Sequence, residues 1–172
     1  MAIDQGGLAI SLAECKAYLR LERDDEDAVL AGLIRTAAGL CEAFIGQWLM
    51  QRETEQRLAV TGEWQLLGVL PVVSVISVTE GAVLLPAEAF EVDISVAGEG
   101  WVRLVDTAGL VMPVVRYRAG LAASWNDVPE ALRQGMVRLV AHMFSHRDAA
   151  DAGPPPTAVV ALWRPWRRMR LG

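Results

Sequence analysis

Two histidines four residues apart, His142 and His146, are the nearest thing in this sequence to a metal or catalytic motif. On a helix that spacing puts two imidazoles on one face, as in zinc proteases, where a glutamate beside the first histidine is the general base. Met143 holds that position, no distant His, Cys or Asp cluster supplies further ligands, and Arg138 falls one turn away on the same line, where its charge opposes a cation. A surface or interface role is expected for the pair, and no metal site. Ser145, His146 and Asp148 supply the residue types of a hydrolase triad, but neighbours on one helix point in different directions and cannot form the relay. Gly98-Glu-Gly100 resembles the opening of a dinucleotide loop, yet Arg103 stands where the third glycine belongs and no helix follows, so a hairpin turn is expected. Cys15 and Cys41 lack CxxC spacing and read as buried, reduced thiols. No catalytic residue and no cofactor is expected.

The C-terminal segment offers a different chemistry. Trp163 and Trp166 flank Arg164 and Pro165, and Arg167, Arg168 and Arg170 follow, with Leu162, Met169 and Leu171 between and around them. Tryptophan buries a large area with little entropy lost, and arginine makes forked bonds to carboxylates, so both are enriched among interface hot spots. Four destinations fit such a segment: its own domain, nucleic acid through stacking and phosphate pairing, an anionic membrane surface, or a protein partner. The protein partner is the expectation.

The elements that position this segment follow from hydrophobic spacing. Ser11-Leu-Ala-Glu14 is a capping-box pattern that starts a helix over about 11–20. Acidic residues from Glu22 to Asp27 precede a second helix over about 25–47, where Leu30, Leu33, Ile34, Ala37, Leu40, Cys41, Phe44 and Ile45 recur at helical spacing. Those acids suit the positive end of the helix dipole, and a metal or interaction site is the alternative reading. Phe90 to Val96 alternates apolar and polar residues as a half-buried strand does, and Val72 to Thr79, Trp101 to Val105 and Val114 to Ala119 are further strands. Gln51 to Val60 is polar and alternates weakly, which suits an edge or subunit-contact strand. Asp127-Val-Pro-Glu130 predicts a capped third helix over 129–147, with Pro129 in its first turn and Leu132, Met136, Leu139, Val140, Met143 and Phe144 on its apolar face. The expected class is α+β: a domain over 1–148 with a β-rich insertion at about 51–119, a Pro-rich spacer over 149–157, and an extended docking tail over 158–172. Thr157 is positioned to cap a short helical turn, and Trp166 onward is expected to project as an exposed finger.

Composition narrows the class. The chain has 172 residues, 53% apolar and 22% charged, enough for one domain with a core and far from a disordered composition. Its apolar stretches are interrupted well short of the roughly 20 residues needed to span a bilayer, so no membrane span is expected. The first residues lack the features of a secretory signal, which makes a cytoplasmic site of folding the default. Residues 164–172 carry four arginines and no acid, whereas residues 1–163 hold 12 basic and 21 acidic groups, a formal −9. An acidic body ending in a basic tail does not suit non-specific adhesion to nucleic acid.

Taken in order, four segments resemble the head-to-tail connector, or adaptor, family of long-tailed phages and phage-derived gene transfer agents. They are Leu12 to Leu21 with Asp24 to Asp27, Leu70 to Val78, Tyr117-Arg-Ala-Gly120 leading to Val128 to Leu132, and Leu162 to Leu171. The resemblance implies a structural, non-enzymatic subunit in a ring of about twelve copies beneath the portal of a capsid, made and assembled in the bacterial cytoplasm. It further implies that Leu162, Trp163, Arg164, Trp166, Arg167, Arg168, Met169, Arg170 and Leu171 dock on the portal protein. A tail-completion (stopper) protein would join the opposite side, and DNA would pass through without specific binding. The alternative is a DNA-packaging accessory protein that binds DNA through the arginine cluster.

Overall fold

In a computed structural model, which describes residues 10–147 and 154–168, helices and strands separate cleanly along the chain. The segments up to Leu49 and from Ala122 onward form a helical unit, and Met50–Leu121 forms a β unit. The class is α+β.

The helical unit begins with α1, Leu12–Leu19, where Ser11 Oγ accepts the Glu14 N–H at 3.3 Å. Arg20 ends it in the left-handed region at φ 58°, and its N–H and that of Leu21 bond back to Ala17 and Lys16 carbonyls. The acidic run then finds internal partners. Lys16 Nζ lies 2.5 Å from Asp24 and 2.8 Å from Asp27, and Arg147 reaches Glu26 at 3.0 Å. Bonding to Asp24 first, then to Asp27, holds the Lys16 pKa above its ordinary value.

Helix α2, Asp27–Ile45, buries Leu30, Ala31, Ile34, Ala37, Cys41 and Ile45 on one face. By length and composition it could cross a membrane, with mean hydropathy 1.6, but that face packs within the unit against α3, Glu130–Ser145. Gly46 closes α2 at φ 70°. Helix α3 buries Leu132, Gly135, Met136, Val137, Leu139 and Val140, while Met143 and Phe144 are only half-buried. Its expected cap does not form. Pro129 holds Val128 in extended geometry and the helix starts after it, while Asp127 ends a 3-10 turn, Trp125–Asp127, and accepts from Ser124 Oγ at 2.8 Å. Helix α4, Thr157–Trp163, completes the unit; Pro156 occupies its N-cap position, so Thr157 caps nothing.

The β unit holds two antiparallel sheets. Strands β1 (Arg52–Arg57), β3 (Val72–Glu80), β4 (Val83–Leu84) and β7 (Pro113–Ala119) form one in the order β1-β7-β3-β4; β2 (Gln65–Leu66), β5 (Phe90–Ile94) and β6 (Gly100–Leu104) form the other in the order β2-β6-β5. The polar strand β1 is an edge. Central β7 alternates strictly, with Pro113, Val115, Tyr117 and Ala119 buried and Arg116 and Arg118 outward. Glu53 of β1 clamps both arginines, at 2.5 and 3.0 Å, and the Arg118 bond, then the Arg116 bond, holds its carboxyl below the usual carboxylate range. Two register shifts in β3 leave Val73 and Ile76 outside the pairing, which is why that strand reads as a run rather than an alternation. Gly98 turns the β5–β6 hairpin at φ 78°, where a Cβ would stand 2.4 Å from Pro71 Cβ.

Candidate docking surface at the C-terminus

A glycine in the middle of α3 sets the geometry of the C-terminal segment. Gly135 leaves room for one large ring, and Trp163 fills it. A Cβ on Gly135 would lie 2.1 Å from Trp163 Nε1, and the indole is 2% exposed. Its Nε1–H donates to the Leu132 carbonyl at 3.3 Å, the carbonyl three residues before that glycine. Phe44 of α2 tilts against the ring at a centroid distance of 5.9 Å, and Val159, one turn back on α4, is fully buried. A tryptophan with its polar edge satisfied and its faces covered is a core residue.

Beyond Trp163 the chain stays attached. A 3-10 turn, Arg164–Trp166, follows, and buried Gln47 donates through Nε2 to the Trp166 carbonyl at 2.8 Å. The Arg168 N–H donates to the Ile45 carbonyl at 2.9 Å, satisfying an acceptor that the end of α2 leaves open. The Arg167 guanidinium stands 5.6 Å over the Phe44 ring. The segment from Trp166 to Arg168 therefore lies along its own domain, which corrects the expectation of a finger projecting from Trp166 onward.

Of the residues singled out from the sequence, Trp163 is in the core, Leu162, Trp166 and Arg168 are half-buried, and Arg164 and Arg167 are exposed. Met169, Arg170 and Leu171 lie outside the described residues, as does most of the 149–157 spacer. The described surface offers exposed guanidinium groups beside a partly covered indole, a chemistry suited to carboxylates and apolar side chains on a protein. Gly135 and Gln47 escaped sequence reasoning. The signal for Gly135 was a glycine inside a strongly patterned helix, which implies close approach by another group; Gln47 gave none.

Among the described residues the other candidates assemble no such chemistry, and Asp148 lies outside them. The His142 and His146 rings stack at 4.4 Å, and His146 Nδ1 lies 2.8 Å from the His142 carbonyl oxygen. Among the described residues, no three His, Cys, Asp or Glu side chains stand together as metal ligands. Cys15 and Cys41 are free, buried thiols, both pushed up to about 12 by desolvation, with the neighbouring Glu14 and Glu42 charges adding to it.

A search of curated proteins finds no match. The fold is similar to chains from the neck of an empty GTA particle computed with C6 symmetry (TM-score 0.76, 24% identity, 99% of this chain and 95% of that one). It is equally similar to chains from the virion of a native gene transfer agent (GTA) particle (0.74, 25%, 99% and 95%) and from the neck of a native GTA particle computed with C12 symmetry (0.76, 22%, 99% and 94%). The family model described as head completion protein matches residues 8–152, the helices α1 to α3 and the whole β unit. The chain belongs to the head completion protein family.

Proposed function

We propose that this chain is a non-enzymatic head–tail connector of a phage-like particle, assembled as a ring of twelve copies in the particle neck. The observation that carries the reading is the near-complete overlap, 99% of the chain, with chains from GTA necks computed in C6 and C12 symmetry. In this reading the ring sits beneath the portal protein, receives a tail-completion (stopper) protein on its other side, and encloses a channel through which DNA passes. The acidic body supports a passage that does not hold phosphates. Assembly takes place in the bacterial cytoplasm.

The portal-docking surface is the C-terminal segment, with its parts reassigned. Leu162 and Trp163 root it in the helical unit, and Arg164, Trp166, Arg167 and Arg168 form its described face. Met169, Arg170 and Leu171 extend it. The test is co-purification with the portal protein of the same particle. Arg164→Glu combined with Arg167→Glu changes exposed side chains and should leave thermal unfolding unchanged while weakening portal binding at least 30-fold, about 2 kcal/mol for one hot-spot arginine. Unchanged portal binding by that variant and by a chain ending at Arg168 would remove the segment from the interface. Tight duplex DNA binding that weakens steeply with salt would favour the DNA-packaging alternative.

A further inference from the structure

Helix α2 is apolar on two opposite faces, and the described residues cover only one of them. Around Thr36, within about 60° on either side at 100° per residue, lie Val29, Gly32, Leu33, Gly39, Leu40 and Ala43. The helix carries only two charges between residues 28 and 45, Arg35 and Glu42, and both fall outside that sector. Val29 is 44% and Leu40 43% exposed, and the Thr36 hydroxyl is spent on the Gly32 carbonyl at 3.1 Å. A surface helix ordinarily turns charged residues to water on the side away from the core. Gly32 and Gly39 sharpen the anomaly: a Cβ on either meets nothing within 4 Å, so nothing among the described residues asks for glycine, which weakens a helix.

We infer that this face of α2 is the contact with the next copy in the ring. The inference rests on the ring reading above and names its interface. A neighbour of the same sequence is favoured by composition, because interfaces between identical chains are more apolar than those between separately soluble partners, and charge is depleted at their centres. A cyclic ring also needs a second, different patch on every copy, since its contacts run head to tail. The described residues offer one at the tip of the four-stranded sheet. There Val83, Leu84, Val111 and Met112 are all exposed, with no charge between Glu80 and Glu88 or between Asp106 and Arg116. The Glu80 carboxylate is engaged by the Val111 and Met112 N–H groups at 3.0–3.2 Å, which fixes the two loops together. The glycines of one copy provide the depression and the aliphatic tip of the next copy the knob.

Gly39→Leu separates this role from folding. In the free chain the new side chain enters open space, so melting should stay cooperative at an unchanged or higher temperature. In the ring it should collide with the neighbour. Copies bound per portal ring, read by native mass measurement after co-expression with the portal protein, should fall at least tenfold for Gly39→Leu and for the tip variant Leu84→Glu. A mixture of the two variants retains one intact contact per pair and should give dimers but no rings. Full occupancy by both variants while wild type forms rings overturns the assignment and leaves the ring reading standing. Isolated wild-type copies on the portal, with no contact between them, overturn both. Wild-type flotation with neutral phosphatidylcholine vesicles that Gly39→Leu abolishes, with rings unaffected, would make the occupant a bilayer.

Discussion

Gly135→Ala tests whether the C-terminal segment is part of the core. The added methyl stands 2.1 Å from Trp163 Nε1 and under 3 Å from two ring carbons, and a rigid indole only 2% exposed, with Phe44 against it, has no free rotamer to retreat to. Overpacking of this kind costs about 1–3 kcal/mol. Displacing the ring also loses its bond to the Leu132 carbonyl, a further ~1 kcal/mol. Against these, alanine is a better helix former than glycine by about 0.5–1 kcal/mol. The balance is a loss of roughly 1–3 kcal/mol, which for a chain of this size lowers Tm by about 3–10 °C. The readout is thermal unfolding followed by helical circular dichroism, with near-ultraviolet dichroism reporting the tryptophan environment. Gly39→Ala is the internal control: it adds the same methyl to open space and should raise Tm by a few degrees. If the two variants behave alike, Trp163 does not occupy the Gly135 notch and the anchored tail is wrong.

Further outcomes follow from the same geometry. Gly46→Ala puts a Cβ on a left-handed residue and 3.1 Å from the Arg168 carbonyl, and should cost about 1–2 kcal/mol in chemical denaturation. The buried thiols of Cys15 and Cys41 should resist a thiol-reactive dye at pH 7.5 until the chain unfolds; rapid labelling of the native protein would place them at the surface. Their folded pKa is raised from 9.0 to about 12. The stability that goes with the neutral thiols is therefore complete below pH 9 and is lost as pH rises from 9 towards 12, visible as a falling denaturation midpoint. Glu53 has the opposite sign. Its lowered pKa supplies stability above 4.5 that is lost as pH falls below it, and Glu53→Gln should flatten that part of the acid profile.

The helices and main strands were legible because each repeats one physical constraint many times: the spacing of Leu30 to Ile45 reads as helix throughout, and the alternation at Phe90 to Val96 marks a strand, which ends at Ile94 and leaves Val96 fully exposed beyond it. The short strands β2 and β4 were not, since two residues carry no period. The cap at Asp127 failed because a local pattern was overruled by its own neighbour: Pro129 keeps Val128 extended and moves the helix start past the intended capping acceptor. The course of the tail from Trp166, expected as a projecting finger, was misread for a different reason. Tryptophan and arginine have the same composition whether they fill a pocket in their own domain or on another molecule, and only the Gly135 notch, brought to Trp163 by the fold, separates the two. The acidic run near Asp24 was equally ambiguous until Lys16 and Arg147 came to meet it.

Anchoring at Trp163 also decides how the molecule would carry load. A pull on the C-terminus meets the Arg168 and Trp166 backbone bonds, then a tryptophan wedged into α3, before it reaches the polypeptide that joins α3 to α4. Force would pass from a bound partner into the helical unit through packed side chains rather than along a tether.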